Sequence, residues 1–296
     1  MALAGGAAFL ALSWRGGAAG RVVELRLSAT APEAARAKLS APGPLAAAAD
    51  GSLVATIDKH TVLAWAPARF GAALPLTLHH TKPLTCVAVS PDGGRLAAGD
   101  ATGRILVWHG AAAAAAATPL RGAAGAAADG DAELAAATAR GPPPAATVHW
   151  HAHAVGCLAF SPDGAFLLSG GAEAVLVAWD AATGRRAYLP RLGGALAGIA
   201  SCPGDPALFA LRQADNTLRV VNAAAMRVEA SVHGVRPAPR RLGGAAAGAA
   251  AAPAAFQPGP GGGLLVLAGP AGALQWYDPA ADAHVDRLQL SSRGVV

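Results

Sequence analysis

Two stretches of this chain are near-copies of each other. Residues 84–110 read LTCVAVSPDGGRLAAGDATGRILVWHG, and residues 155–184 read VGCLAFSPDGAFLLSGGAEAVLVAWDAATG. Each runs through an apolar strand, Ser-Pro-Asp-Gly, a second apolar strand, a glycine-containing turn and a third strand ending at Trp108 or Trp179. Cys86 and Cys157 hold the same place, four residues before Ser90 and Ser161. Runs such as CVAV and CLAF suit strands packed on both faces. In the turn, proline fixes φ, aspartate caps, and glycine accepts a positive φ. Each unit is therefore expected to be a three-strand antiparallel meander. An outer fourth strand fits before each, in LPLTLHH (74–80) and ATVHWHA (146–152).

Weaker copies extend the series. Residues 45–67 carry Asp50-Gly51 as a first turn and Trp65 near the end. Residues 196–222 carry Cys202-Pro203 in place of Ser-Pro and Asp215-Asn216 as the second turn. Residues 254–279 form another copy, and residues 7–28 an incomplete one with two strands. Trp65 and Trp108 are 43 residues apart, whereas Trp108 and Trp179 are 71 apart. The excess lies in 109–144, a low-complexity insertion rich in alanine, glycine and proline; 235–253 is a second. Both read as mobile surface loops between units. A period of about 40–45 residues with four strands per unit is the β-propeller pattern. The expected fold is all-β: a WD-repeat β-propeller over 1–296, incomplete, with about five full blades and one partial. An open arc exposes a strand edge at each end, so the isolated chain is expected to associate.

Ser-Pro-Asp-Gly, small residues in the second strand and a closing Trp or Trp-Asp resemble the WD-repeat family. That resemblance implies a bonded set of histidine, serine or threonine, turn aspartate and tryptophan. His153, Ser169 and Trp179 fit those places, with Glu173 where aspartate is expected. Thr102 and Lys59 hold the aspartate place in the units ending at Trp108 and Trp65. Asp215 fits, but its unit ends in Val221.

A closer resemblance runs from about residue 45 to 290. HWHAHAVGCLAFSPDGAFLLSGGAEAVLVAWD, then YLPRLGGALAGIASCPGD and ADNTLRVVN, are similar to the WD repeat-containing protein 75 family; HTKPLTCVAVSPD and GALQWYDP fit in the same order. The resemblance implies a nucleolar, non-catalytic scaffold of the UtpA subcomplex of the small-subunit processome. It implies partners among the other processome proteins and contact with pre-rRNA in the 5′ external transcribed spacer. It also implies support of 18S rRNA maturation and of RNA polymerase I transcription. Family members have two tandem propellers and a helical tail, so this chain is expected to be a truncated first propeller.

The remaining candidate chemistry lies in the histidines, cysteines and arginines. His149, His151 and His153 alternate, which on a strand puts them on one face and suggests zinc. A zinc hydrolase also needs a nearby carboxylate base, and the closest in sequence are Glu133 and Asp163. The stretch is therefore read as an outer strand leading into a blade, with no metal, cofactor or catalytic residue expected. No Gly-x-Ser-x-Gly elbow occurs, and PGPGGG (258–263) lacks a following Lys-Ser/Thr. Three cysteines without a C-x-x-C pair favour buried thiols in a reducing compartment. The net charge is +5. Local arginines matter more: Arg185, Arg186 and Arg191 flank Tyr-Leu-Pro and could hold RNA phosphates or an acidic partner. Arg236, Arg240 and Arg241 form a second cluster. The apolar N-terminus lacks a basic n-region and no run reaches spanning length, so no membrane association is expected. The alternative function is a generic WD-repeat adaptor, for example in a ubiquitin ligase. That reading is disfavoured because Ala181-Ala182, rather than x-Arg, follows Trp179-Asp180.

Overall fold

The structure is a computed structural model that describes residues 2–4, 7–13, 20–26, 35–39, 43–70, 73–119, 144–190, 192–233, 254–257, 264–268 and 273–289. Among them the chain forms six four-stranded sheets, each with its strands side by side in sequence order. The first holds β1 (Ala2–Ala4), β2 (Ala7–Ser13), β3 (Gly20–Arg26) and β4 (Ala35–Leu39). The second holds β5 (Leu45–Ala47), β6 (Val54–Asp58), β7 (Thr61–Trp65) and β8 (Leu76–His79). The third holds β9 (Leu84–Val89), β10 (Arg95–Asp100), β11 (Arg104–His109) and β12 (Ala146–His149). The fourth holds β13 (Val155–Phe160), β14 (Phe166–Gly171), β15 (Leu176–Asp180) and β16 (Arg186–Leu189). The fifth holds β17 (Leu196–Cys202), β18 (Asp205–Gln213), β19 (Leu218–Asn222) and β20 (Arg227–Val232). The sixth holds β21 (Ala254–Gln257), β22 (Leu264–Ala268), β23 (Ala273–Asp278) and β24 (Ala283–Gln289). The chain divides into two compact units, Met1–Leu158 and Ala159–Val296.

This is the all-β, six-unit pattern expected of WD repeats, with two differences. The first unit has four strands rather than two. Its strand signals are short and alanine-rich, which hides their period. Each fourth strand also belongs to the preceding meander. Thus β8 pairs with β7 and β12 with β11. The 109–144 insertion therefore lies between the third and fourth strands of one sheet, not between sheets.

The Ser-Pro-Asp-Gly turns have matching geometry. The Ser90 hydroxyl donates to Asp92 Oδ1 at 2.5 Å and accepts from Arg95 N at 2.8 Å. The Ser161 hydroxyl donates to Asp163 Oδ1 at 2.5 Å and accepts from Phe166 N at 2.9 Å. Gly93 and Gly164 take φ of 64° and 71°, a region that L side chains rarely adopt. These bonds close each hairpin from inside a six-residue stretch.

In the third and fourth sheets burial is lost at the fourth strand. β9 and β13 are almost wholly buried, whereas β12 and β16 are almost wholly exposed. Within Met1–Leu158, β5 and β6 pack on β9, around Leu53, Val62, Leu78, Leu96, Leu106 and Trp108. Within Ala159–Val296, β17 packs on β14 and on β21, with Cys202, Leu218, Val220, Leu265 and Leu267 in its core. Glycine in the second strand allows this approach. A β-carbon on Gly99 would stand 2.6 Å from Val155 Cβ and 2.7 Å from Cys86 Sγ. One on Gly170 would stand 2.3 Å from Leu196 Cδ1. The Thr85 hydroxyl donates to the Val155 carbonyl at 2.6 Å across the same gap.

The first insertion begins as ordered structure, against the expectation of a mobile loop. Gly110, at φ 68°, turns the chain into a short helix, α1 (Ala111–Ala116). Ala111 and Ala115 are buried in the core of their unit, one helical turn apart. Ala112 N donates to Gly93 O at 3.1 Å, and the Arg69 guanidinium donates to Ala116 O. Alanine has the highest helix propensity, so a low-complexity alanine run suits a helix as well as a loop. The rest of that insertion, 120–143, and all of 235–253 lie outside the described residues.

Gly99→Val should lower stability by about 1–3 kcal/mol or more, through forced overpacking against Val155. Gly184→Asn, at an open positive-φ turn, should change it by less than about 0.5 kcal/mol. Urea unfolding of the two variants checks both.

Candidate functional site

Strand register aligns the sheets residue by residue. Gly99, Gly170 and Arg212 pair with Ile105, Leu176 and Leu218. Asp100, Gly171 and Gln213 therefore hold one equivalent place, at the corner where the second strand ends. His80, His151 and Leu192 hold another, four residues before Leu84, Val155 and Leu196. The corner bonds differ from sheet to sheet.

In the third sheet the buried carboxylate of Asp100 gathers four donors. His80 Nε2 lies 3.0 Å from Oδ2, while Thr102 N, Thr102 Oγ1 and Arg104 N donate to Oδ1 at 2.7, 2.8 and 3.0 Å. Burial alone would raise the Asp100 carboxyl; the bonds from Arg104 N, His80 and Thr102 outweigh it and hold it below the usual carboxylate range. In the fourth sheet the buried Trp179 indole donates to Ser169 Oγ at 2.9 Å, as the WD-repeat resemblance implies. The histidine buried at that corner is His151; His153 is exposed. In the fifth sheet Gln213 donates to Leu192 O and to Gly194 O, and accepts from Arg219 Nε at 2.8 Å. Asp215 caps the adjacent turn, its Oδ1 accepting from Thr217 N at 3.0 Å. In the sixth sheet the register partner of Trp65, Trp108 and Trp179 is Tyr277, not Trp276. Its hydroxyl donates to Asp282, and burial with that carboxylate raises the phenol above its ordinary value. Trp65 and Trp108 are buried, Trp65 edge-on to Phe70 at 5.2 Å between centroids.

Asp100 and Gln213 were missed because they replace the expected aspartate two residues early. The signal for His151 was present: His80 stands four residues before Leu84, just as His151 stands before Val155.

Comparison with known proteins matches the same segments. The family model of the WD repeat-containing protein 75 first beta-propeller matches residues 144–216, and that of the WD domain, G-beta repeat, matches 74–109. U3 small nucleolar RNA-associated protein 17 of Schizosaccharomyces pombe is 40% identical over 88 residues, 30% of this chain and 11% of the relative. WD repeat-containing protein 75 of Danio rerio is 32% identical over 145 residues, 49% of this chain and 16% of the relative. The human protein of that name is 44% identical over 77 residues, 25% of this chain and 9% of its own length.

Over residues 144–216 the chain is similar to the first beta-propeller of the WD repeat-containing protein 75 family.

It spans less than a fifth of the length of these relatives over the matched stretches, 11% and 16% for the first two. A solved structure titled "Crystal Structure of Mitotic Checkpoint Complex" shares the fold at a TM-score of 0.60 and 17% identity, covering 85% of this chain and 64% of that one. The match over 144–216 runs from β12 through the whole fourth sheet, with its Ser169–Trp179 bond, to β18.

Two of the expected contact residues lie within the described part of that segment. Arg185 and Arg186 are exposed, in the turn before β16 and at its start. The Arg186 guanidinium carbon is 6.0 Å from the Tyr188 ring centroid. Asp180, below them in the hairpin, accepts from Thr183 N and Ala182 N, which hold its carboxyl low and keep it ionised beside Arg185. Arg191 lies outside the described residues, as do Arg236, Arg240 and Arg241. The cysteines are buried, and burial pushes the Cys86 thiol up to about 12, far from thiolate chemistry at neutral pH. Among the described residues no three His, Cys, Asp or Glu gather to hold a metal, and no helix is long and apolar enough to cross a membrane.

Asp92, Asp100 and Asp163 all have lowered folded carboxyl values. Their stabilisation is present above the unfolded value of about 3.9 and is lost as pH falls through the folded values. Unfolding free energy should therefore drop below about pH 4, and Asp100→Asn should flatten part of that drop. Asp100→Ala should cost on the order of 3 kcal/mol at pH 7, because it strands four donors at a buried corner.

Proposed function

We propose that this chain serves as a non-catalytic scaffold in ribosome biogenesis, within the small-subunit processome of the nucleolus. The observation that carries the reading is the match of residues 144–216 to the first beta-propeller of WD repeat-containing protein 75. The relative named U3 small nucleolar RNA-associated protein 17 points to the same assembly. A chain of repeated four-stranded sheets suits the role. Its polar corners are spent on holding turns together, and its exposed fourth strands and loops are left for partners. Those partners are other UtpA subunits and the 5′ external transcribed spacer of pre-rRNA. In that setting the chain supports 18S rRNA maturation and RNA polymerase I transcription.

Arg185, just before β16, Arg186, at its start, and Arg191, five residues further on in the sequence, are the proposed contacts. Arginine at exposed positions clamps phosphates or carboxylates without reading sequence. Affinity purification of the tagged chain from nucleolar extract should recover U3 RNA and UtpA subunits; a preparation without them would exclude the role. Charge reversal at the three arginines should reduce pre-rRNA crosslinking severalfold while leaving the melting curve unchanged, since Arg185 and Arg186 are exposed.

A further inference from the structure

The tetrapeptide Ala-Thr-Gly-Arg occurs twice in this chain, at 101–104 and at 182–185. Both copies form turns between strands, with Gly103 at φ 88° and Gly184 at φ 69°. The fold treats them in opposite ways.

The first copy is sealed. A β-carbon on Gly103 would stand 1.9 Å from His151 O, so the following segment rests on the turn. Ala101 N donates to Pro83 O at 2.9 Å, and His149 Nε2 donates to Thr102 O at 3.2 Å. The Thr102 hydroxyl donates to the buried Asp100 carboxylate at 2.8 Å. The second copy is open. A β-carbon on Gly184 would meet nothing within 4 Å, and residues 182–188 are all exposed. Its turn is closed from within the β15–β16 hairpin. Asp180 N donates to Arg185 O at 2.7 Å, Gly184 N to Asp180 O at 2.9 Å and Thr183 N to Asp180 Oδ1 at 2.8 Å. The Thr183 hydroxyl accepts from Arg185 N at 3.3 Å and bears on the Asp180 carboxylate.

A serine/threonine kinase grips its acceptor in an extended segment, so the turn around the acceptor has to open. Opening is easiest where few bonds to other elements are lost. At 182–185 the bonds that yield lie within one hairpin. At 101–104 the bonds to Pro83, His149 and Asp100 would go with them. Arginines also follow the open copy at two and three residues after Thr183, as Arg185 and Arg186.

We propose that Thr183 is a phosphorylation site for a kinase that reads arginine on the C-terminal side of its acceptor, and that the phosphate shuts the Arg185–Arg186 contact. The switch rests on the reading of those arginines as contacts. In the transfer, Thr183 Oγ1 attacks the γ-phosphorus of ATP in line with the leaving oxygen. The Oγ1–P bond forms, the bond from that phosphorus to the β,γ-bridging oxygen breaks, and ADP leaves with the electron pair. The hydroxyl proton passes to the kinase's carboxylate base. Residues 180–186 hold two arginines and one aspartate. A phosphate adds about −1.5 to −2 charges at pH 7, so the sign of the hairpin tip reverses. Asp180 repels the phosphate towards the guanidinium groups, where charge-assisted bonds occupy donors otherwise offered to a partner. At Thr102 the same group would break the bond to Asp100 and set a second charge against a buried one.

The test incubates the full folded chain with the catalytic fragment of protein kinase C, magnesium and ATP, and locates phosphate by tandem mass spectrometry. Thr183 should be modified and Thr102 should not, whereas synthetic peptides of residues 98–108 and 178–188 should both be modified. The phosphorylated chain should lose crosslinking to a pre-rRNA transcript severalfold, as Arg185→Glu/Arg186→Glu does, with circular dichroism melting showing each form folded. Thr183→Ala, treated with kinase in the same way, should keep its crosslinking, which separates this site from other acceptors. An unmodified Thr183, or equal modification of Thr102 in the folded chain, would overturn the site. Full crosslinking by the phosphorylated chain but not by the charge-reversed one would overturn the switch and leave the arginine reading standing. Full crosslinking by the charge-reversed chain would overturn that reading and the switch together, with the site still decided by the mass spectrum.

Discussion

Gly99 and Gly170 leave no room for a β-carbon, because the first strand of the following sheet already occupies that space. Val155 and Leu196 are the residues that press in. Sheet faces usually pack about 10 Å apart, with side chains from both filling the gap. Here the second strand yields its side chain so that the neighbour's can enter. Much else depends on that approach. It brings the Val155 carbonyl within reach of Thr85, and it encloses Cys86 so fully that its thiol loses its acidity.

The polar corners solve one problem in several ways. A second strand that ends inside the protein leaves turn amides in need of acceptors. Asp100 meets the need with a carboxylate; in the fifth sheet Asp215 accepts from Thr217 N, while Gln213 donates to the carbonyls of Leu192 and Gly194 and accepts from Arg219 Nε. In the fourth sheet a glycine stands in that place, and the Ser169–Trp179 bond ties the second strand to the third instead. Loss of the usual tetrad therefore does not mean loss of polar order. The ring at the end of the third strand varies likewise, with Tyr277 where its counterparts are tryptophans.

How much of this was legible in the residues depended on the range of the interaction. Ser-Pro-Asp-Gly acts within six residues, so both turns could be placed and their bonding explained in advance. The Ser169–Trp179 pair was implied by the WD-repeat resemblance, and both residues lie in one hairpin. His151 was displaced to His153 because side-chain alternation allows either, and only alignment with His80 separates them. Asp100 escaped notice because its role depends on His80, which arrives from another sheet. The helix α1 was hidden by composition: poly-alanine carries no apolar periodicity, although its burial in the core is periodic. The early strands β1 and β4 were missed for the same reason.

The position of α1 has a consequence for how this gene can change. The segment 120–143 leaves from a helix fastened by Arg69 and by the backbone of Gly93, and it returns as β12 in the same sheet. Both ends are anchored on one blade. Doubling such a segment costs only about 0.6 kcal/mol in closure entropy. Changes in the number of residues between these anchors therefore leave the register of β11 and β12 in place.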